Sequence, residues 1–96
     1  MSNEVTVVDN KAGHRYEAHL DGALAGVLTY TVKDGVATLP HTQVEPRYEG
    51  RGIGGKLAKA ALDDARDQGL KVAPWCPFIA AYIEKNPEYT DLVAAS

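Results

Sequence analysis

Through the first 44 residues, apolar and polar side chains alternate and no helical period appears. Glu4 to Val8 reads Glu-Val-Thr-Val-Val, a β-branched run that predicts a strand, and Asp9 to Gly13 supplies a loop. His14 to Leu20 alternates with Tyr16, Ala18 and Leu20 on one face and runs into Asp21-Gly22, a strong hairpin signal. Leu24 to Val32 is expected to pair back, Lys33-Asp34-Gly35 to turn the chain, and Val36 to Val44 to complete a four-strand antiparallel meander.

The pattern changes at Glu45-Pro46, where proline disfavours further strand, and a glycine-dense run from Gly50 to Gly55 follows. Ile53, Leu57, Ala61 and Ala65 then recur every four residues, with Lys56, Lys59, Asp63, Arg66 and Asp67 on the other side, which predicts an amphipathic helix ended by Gly69. Leu70 to Trp75 reads as a fifth strand, parallel to Val36–Val44 because a right-handed crossover joins them. Pro77 suits a helix start, Phe78, Ile79, Tyr82 and Ile83 form its expected buried stripe, and Pro87 stops it. Tyr89, Leu92 and Val93 are expected to close a terminal turn. The fold class is α+β, in one domain over residues 1–96.

Composition narrows the function. A chain of 96 residues buries about 64% of its unfolded surface, enough for one modest core. With 45% hydrophobic and 24% charged residues and a mean hydropathy of −0.26, it lies in the ordinary globular range. Ten Lys+Arg against thirteen Asp+Glu give a net charge of −3, without the basicity that a nucleic-acid partner needs. No apolar run reaches membrane length and no signal peptide is visible, so a reduced, cytoplasmic setting is expected for the lone Cys76. Neither Cys76 nor the three histidines have metal-ligand spacing, so no metal is expected.

A glycine-rich loop that opens a helix presents free backbone N–H groups at the positive end of the helix dipole, an anion site. The plainer reading is a tight turn that lets the helix approach the sheet. Gly50-x-Gly52-x-x-Gly55 satisfies the dinucleotide pattern, but a Rossmann domain needs several βαβ units and the next strand carries no acid for a ribose. Gly50-x4-Gly55-Lys56 approaches a nucleotide P-loop, yet Leu57 stands where a magnesium-binding hydroxyl belongs. A diphosphate-bearing ligand that needs no metal remains, and coenzyme A fits.

The run from Val44 to Leu57, Val-Glu-Pro-Arg-Tyr-Glu-Gly-Arg-Gly-Ile-Gly-Gly-Lys-Leu, resembles the acetyl-CoA signature V-x-P-x-x-[RQ]-x-x-G-x-G-x-x-L of the GNAT N-acetyltransferase superfamily. The short length and the stretch from Pro74 to Tyr89 are similar to the small single-domain YjdJ-type GNAT-like proteins. The resemblance implies transfer of an acetyl group from acetyl-CoA to the amine of a small molecule or protein; separately, a monomer or weak dimer is expected. The resemblance further implies pyrophosphate on the backbone amides of Arg51, Gly52, Ile53, Gly54 and Gly55, with Gly50 also in the cofactor site, pantetheine along Thr42, Gln43 and Val44, and adenine and ribose phosphate near Arg47, Arg51 and Lys56. Glu49 departs from the pattern, placing a carboxylate where the family has Arg or Gln, which is unfavourable beside a diphosphate unless it points to solvent. Two helices that larger members place after the first strand are also replaced by the short loop Asp9–Gly13.

Acyl transfer to an amine needs a proton acceptor, a polarised carbonyl and a proton for the departing thiolate. His41, a few residues before the glycine loop, is the candidate proton acceptor, a role histidine side chains suit; its other reading is a strand histidine bonded within the sheet. Cys76, expected close to His41, is a candidate nucleophile at a helix start, or else a small buried hydrophobe. Tyr82 is implied by the resemblance as the donor to the leaving sulfur, or it belongs to the core stripe. A non-catalytic coenzyme A-binding or interaction module is the alternative function, and a sheet-edge pairing protein a third.

Overall fold

The computed structural model describes residues 5–94. Strands β1 (Val5–Asn10), β2 (Arg15–Leu20), β3 (Ala23–Lys33) and β4 (Val36–Val44) form the expected meander, and β5 (Lys71–Ala73) joins β4 in parallel to give the order β1-β2-β3-β4-β5. Helix α1 (Ile53–Asp67) links β4 to β5, and α2 (Pro77–Lys85) follows. A 3-10 turn (Pro46–Tyr48) precedes the glycine loop and a second one (Pro87–Leu92) ends the chain's regular structure.

Several boundaries differ from the sequence reading. Asp9 and Asn10 belong to β1, because both pair across the hairpin with Tyr16 and Arg15; Glu4 lies outside the described residues. The fifth strand spans three residues instead of Leu70 to Trp75, since Pro74 interrupts it and Trp75 swings outward, 73% exposed. Phe78 leaves the expected stripe and is exposed; Ile79 and Ile83 alone of α2 are buried, with Tyr82 packed at the margin. Tyr89 and Leu92 are buried as expected, whereas Val93 is exposed and bridges to Val72 through its backbone.

One face of the sheet carries the core. Tyr16, Ala18, Leu20, Leu28 and Leu39 meet Ile53, Leu57, Ala58, Ala61, Leu62 and Ala65 of α1, together with Val72, Cys76, Ile79 and Ile83. The second 3-10 turn is latched to α1 by Tyr89 Oη donating to Asp63 Oδ1 at 2.7 Å and by a two-pronged Arg66–Asp91 pair. Arg66 also donates to the Glu88 carbonyl at 2.6 Å. The opposite face holds Arg15, Glu17, His19, Thr29 and His41, with Glu17 accepting from Asn10, Arg15 and His19. Among the described residues, no helix is long and apolar enough to cross a membrane.

Candidate functional site

β4 changes face part-way along. Thr31 pairs with Thr38 but Thr29 pairs with His41, so Leu39 and Pro40 together oppose Tyr30 in a bulge. Pro40, which has no N–H, is tolerated at such a point. Before the bulge Ala37 and Leu39 face the core; after it, Thr42 and Val44 do, and His41 and Gln43 face the open side. This overturns the expected meeting of His41 with Cys76: His41 is exposed on the far face, where its carbonyl accepts from Thr29 Oγ1 at 3.3 Å.

The same register leaves an open edge beside β5. The Glu45 N–H bonds to the Ala25 carbonyl, which fixes Gln43 and His41 as the residues whose main-chain groups point to β3. The N–H and C=O of Thr42 and Val44 therefore point the other way. β5 pairs only as far as Thr38–Ala73, and the Cys76 N–H reaches the Leu39 carbonyl at 2.9 Å before the chain enters α2. Beyond that bond the two strands splay.

At the wide end of the splay stands the glycine loop. Gly50 and Gly52 have φ of +85° and +74°, the left-handed region that side chains resist, and a Cβ on either would meet no atom within 4 Å. Their requirement is therefore conformational, and the space above them is open. Gly52 caps α1 without any side-chain hydrogen bond, and no acidic residue occupies the first turn. The amides of Ile53, Gly54 and Gly55 consequently point out of the helix end with its positive dipole. A groove of about 240 Å³ runs past them between Val44 and Phe78. Gly54 has a spatial reason too: a Cβ there would lie 2.8 Å from Phe78 Cζ.

Arg47 and Arg51 both approach the Tyr48 ring, at 5.1 and 5.9 Å from its centroid, and Arg47 donates to the Tyr48 hydroxyl at 3.1 Å. Tyr48 thus holds two guanidinium groups at the loop, a role invisible in the motif. Lys56 is exposed on the first turn of α1, and Glu49 lines the groove while remaining exposed.

Cys76 is the N-cap of α2 and is 5% exposed. Its Sγ lies 3.5 Å from Thr42 Oγ1, a bond made possible by the β4 bulge. Burial pushes the thiol pKa up, but the Thr42 hydroxyl and the main-chain N–H groups of Ile79, Phe78 and Thr42 outweigh it, leaving the pKa below the ordinary value. Tyr82 is half-buried, its ring 6.2 Å from that of Tyr89 and near Gly55. The structure thus brings Cys76 to Thr42, lays Phe78 of α2 over Gly54, sets Tyr82 beside Gly55 and leaves His41 out. Phe78 is a groove residue that periodicity assigned to the core; its place directly after a helix-opening proline was the available signal.

The sequence model of the GCN5-related N-acetyl-transferase family matches residues 15–92. The chain belongs to that family. A mouse protein called NATD1 is 35% identical over 85 residues, covering 86% of this chain and 77% of the relative. Chicken NATD1 is 44% identical over 52 residues, 54% of this chain and about half (47%) of its own length. A Staphylococcus aureus protein described as a GCN5-like candidate N-acetyltransferase superposes with a TM-score of 0.69 at 27% identity, covering all of this chain and 93% of its own. A Brucella melitensis GNAT acetyltransferase solved with acetyl-CoA shares the fold at a TM-score of 0.57 and 23% identity, over 71% of this chain and 50% of its own. Set beside these family members, the five-strand sheet and the loop between β4 and α1 are the GNAT arrangement. Among the described residues, no cluster of His, Cys, Asp and Glu is able to hold a metal.

Proposed function

We propose that this protein binds acetyl-CoA in the groove between Val44 and Phe78 and transfers its acetyl group to an amine. The observation that supports the reading is the pairing of a glycine-built helix end that has no side-chain cap with main-chain groups of Thr42 and Val44 that point away from β3. A diphosphate matches the amides from Gly52 to Gly55, with Arg51, Arg47 and Lys56 as flanking cations. An amide-bearing arm matches the strand edge at Val44 and the Thr42 carbonyl, the Thr42 N–H being turned to Cys76 Sγ. Acetyl-CoA supplies the activated thioester; this chain supplies the orientation and the proton chemistry.

Cys76 is the residue we place at the reaction. Its thiolate is supported by three N–H groups and the Thr42 hydroxyl, the environment of an activated nucleophile. His41, exposed on the opposite face of the sheet from Cys76, takes no part in the transfer. Tyr82, beside Gly55, is the candidate donor to the departing sulfur. A lone thiol suits a reducing, cytoplasmic compartment, and we expect a monomeric single domain to suffice.

Titration of ¹⁵N-labelled protein with acetyl-CoA tests the site. Saturable shifts centred on Arg51 to Gly55 and extending to Thr42 and Cys76 are expected, and an absence of shifts would refute the reading. Intact-mass measurement after incubation then separates the routes: an acetyl adduct lost in Cys76→Ala supports the thiolate as nucleophile. Turnover that survives in Cys76→Ala would remove it. A second reading, binding without transfer, draws on the tight turn between β1 and β2, which builds no wall for an acceptor. It predicts acetyl-CoA binding with no product from a broad amine panel.

A further inference from the structure

A second cavity lies at the far end of the sheet from the glycine loop. Its volume is about 330 Å³, within the range of sites for small organic molecules. The floor is apolar, made by Ala37 and Leu39 of β4 and by Ala61 and Ala65 of α1. Ala61 and Ala65 follow Ile53 by eight and twelve residues, so at the helical rise the cavity sits about 12 to 18 Å along α1 from the groove. It is a separate place from the acyl-transfer site.

The wall is a pair of tyrosines, Tyr16 and Tyr30, with ring centroids 5.1 Å apart. Each phenol donates to a carboxylate: Tyr30 to Asp9 Oδ1 at 2.5 Å and Tyr16 to Asp64 Oδ2 at 2.7 Å. Burial first, and then these carboxylates, push Tyr30 up to about 12 and raise Tyr16 strongly. The phenol bonds fix both rings in the wall of an apolar space that Asp9 also lines, and aromatic rings beside a carboxylate suit a cation. Lys11 and His14 also stand at the rim, but both are exposed and solvated, whereas Asp9 is half-buried and pinned by Tyr30. A fixed, less solvated charge dominates the local field.

We propose that this cavity binds a small organic monocation with an apolar body, an arylalkyl- or alkylammonium, its charge at Asp9 and its body over Ala61 and Ala65. The probe is phenethylammonium, and 3-phenylpropanoate, of similar shape and opposite charge, is its control. Both are titrated into the ¹³C,¹⁵N-labelled full chain with no coenzyme A present. Phenethylammonium is expected to saturate in the millimolar range, moving the methyls of Ala37, Ala61 and Ala65 and the rings of Tyr16 and Tyr30, while Gly50 to Gly55 stay still. The propanoate is expected to move none of them. Asp9→Asn keeps an oxygen for Tyr30 but removes the charge, and is expected to weaken the cation about tenfold, the scale of one charge-assisted contact. Ala61→Leu fills the floor and is expected to abolish binding with the thermal midpoint retained; if that variant does not fold, Asp9→Asn decides. Equal shifts from both probes, shifts centred on the glycine loop, no saturation, or an unchanged affinity in Asp9→Asn would each overturn the proposal.

Discussion

The closest approach at the mouth of the groove, Gly54 against Phe78, gives a double-mutant cycle with opposite terms. Gly54 is the second residue of α1, where replacing glycine by alanine relieves backbone entropy, a gain of up to about 1 kcal/mol. The new Cβ would meet Phe78 Cζ at 2.8 Å and Cε2 at 3.1 Å. Carbon contacts are optimal near 3.5 to 4.0 Å, so the ring must retreat by about 0.7 Å or more. Phe78 is 44% exposed and able to turn away, at the cost of an off-rotamer side chain, about 0.5 to 1.5 kcal/mol. Gly54→Ala alone is therefore expected to leave stability nearly unchanged. In a Phe78→Ala background the obstacle is gone, and the same substitution is expected to stabilise by up to about 1 kcal/mol. Urea melts of the four proteins measure the coupling, expected near 1 kcal/mol. Additivity within about 0.4 kcal/mol would refute the claim that Phe78, and not the ligand space, is what excludes a side chain from position 54.

Three further outcomes follow from the geometry. Gly26→Ala places a Cβ 3.0 Å from Ile53 Cγ2, 3.1 Å from the Gln43 carbonyl and 3.3 Å from Leu57 Cδ1; the backbone oxygen has little freedom to yield, so a loss of about 1 to 3 kcal/mol is expected in urea denaturation. Glu17 is lowered from 4.5 to about 2 by hydrogen bonds from Asn10, Arg15 and His19. A depressed folded pKa contributes stability above the unfolded value that is lost as pH falls through the folded one. The thermal midpoint of wild type relative to Glu17→Gln should accordingly shrink between pH 4.5 and 2, and a constant difference would refute the network. Thr42→Val removes a hydroxyl that favours the Cys76 thiolate, so the pH midpoint of iodoacetamide alkylation should move upward, and an unmoved midpoint would show that the 3.5 Å contact is idle.

Much of this site was legible because its chemistry is local. Four glycines in six residues after a strand, with Pro46 before them and an i, i+4 apolar stripe after them, specify a turn, a cap and a helix without distant information. Gly50 and Gly52 do adopt positive φ, and the tail's Tyr89 and Leu92 are buried. What failed was set by tertiary packing. Phe78 has the spacing of a core residue, but its position opposite a glycine of the α1 first turn lets it rest over Gly54 while remaining open to solvent. Leu70 to Trp75 has strand composition, yet Pro74 and the return of Cys76 to the Leu39 carbonyl end the pairing after three residues. The alanine-floored cavity has no sequence signature, because its walls come from β1, β2, β3, β4 and α1 at once.

The error over His41 has a sharper cause, and it is testable. Strict alternation from Ala37 carries His41 and Gln43 onto the core face; the bulge at Leu39-Pro40 inserts one residue and carries Thr42 and Val44 there instead. Two forces favour the bulge: Pro40 cannot donate to a ladder, and the alternative register would bury Gln43 while expelling Val44. If packing dominates, Pro40→Ala keeps the bulge, because the transfer of Val44 to solvent costs about 1.5 kcal/mol or more and an added N–H offsets only about 1 kcal/mol. The nuclear Overhauser contact between the Thr42 amide and Cys76 Hβ should then persist in the variant. Its replacement by a contact from His41 would show that a single proline, and not the core, decides which side chain meets the thiol.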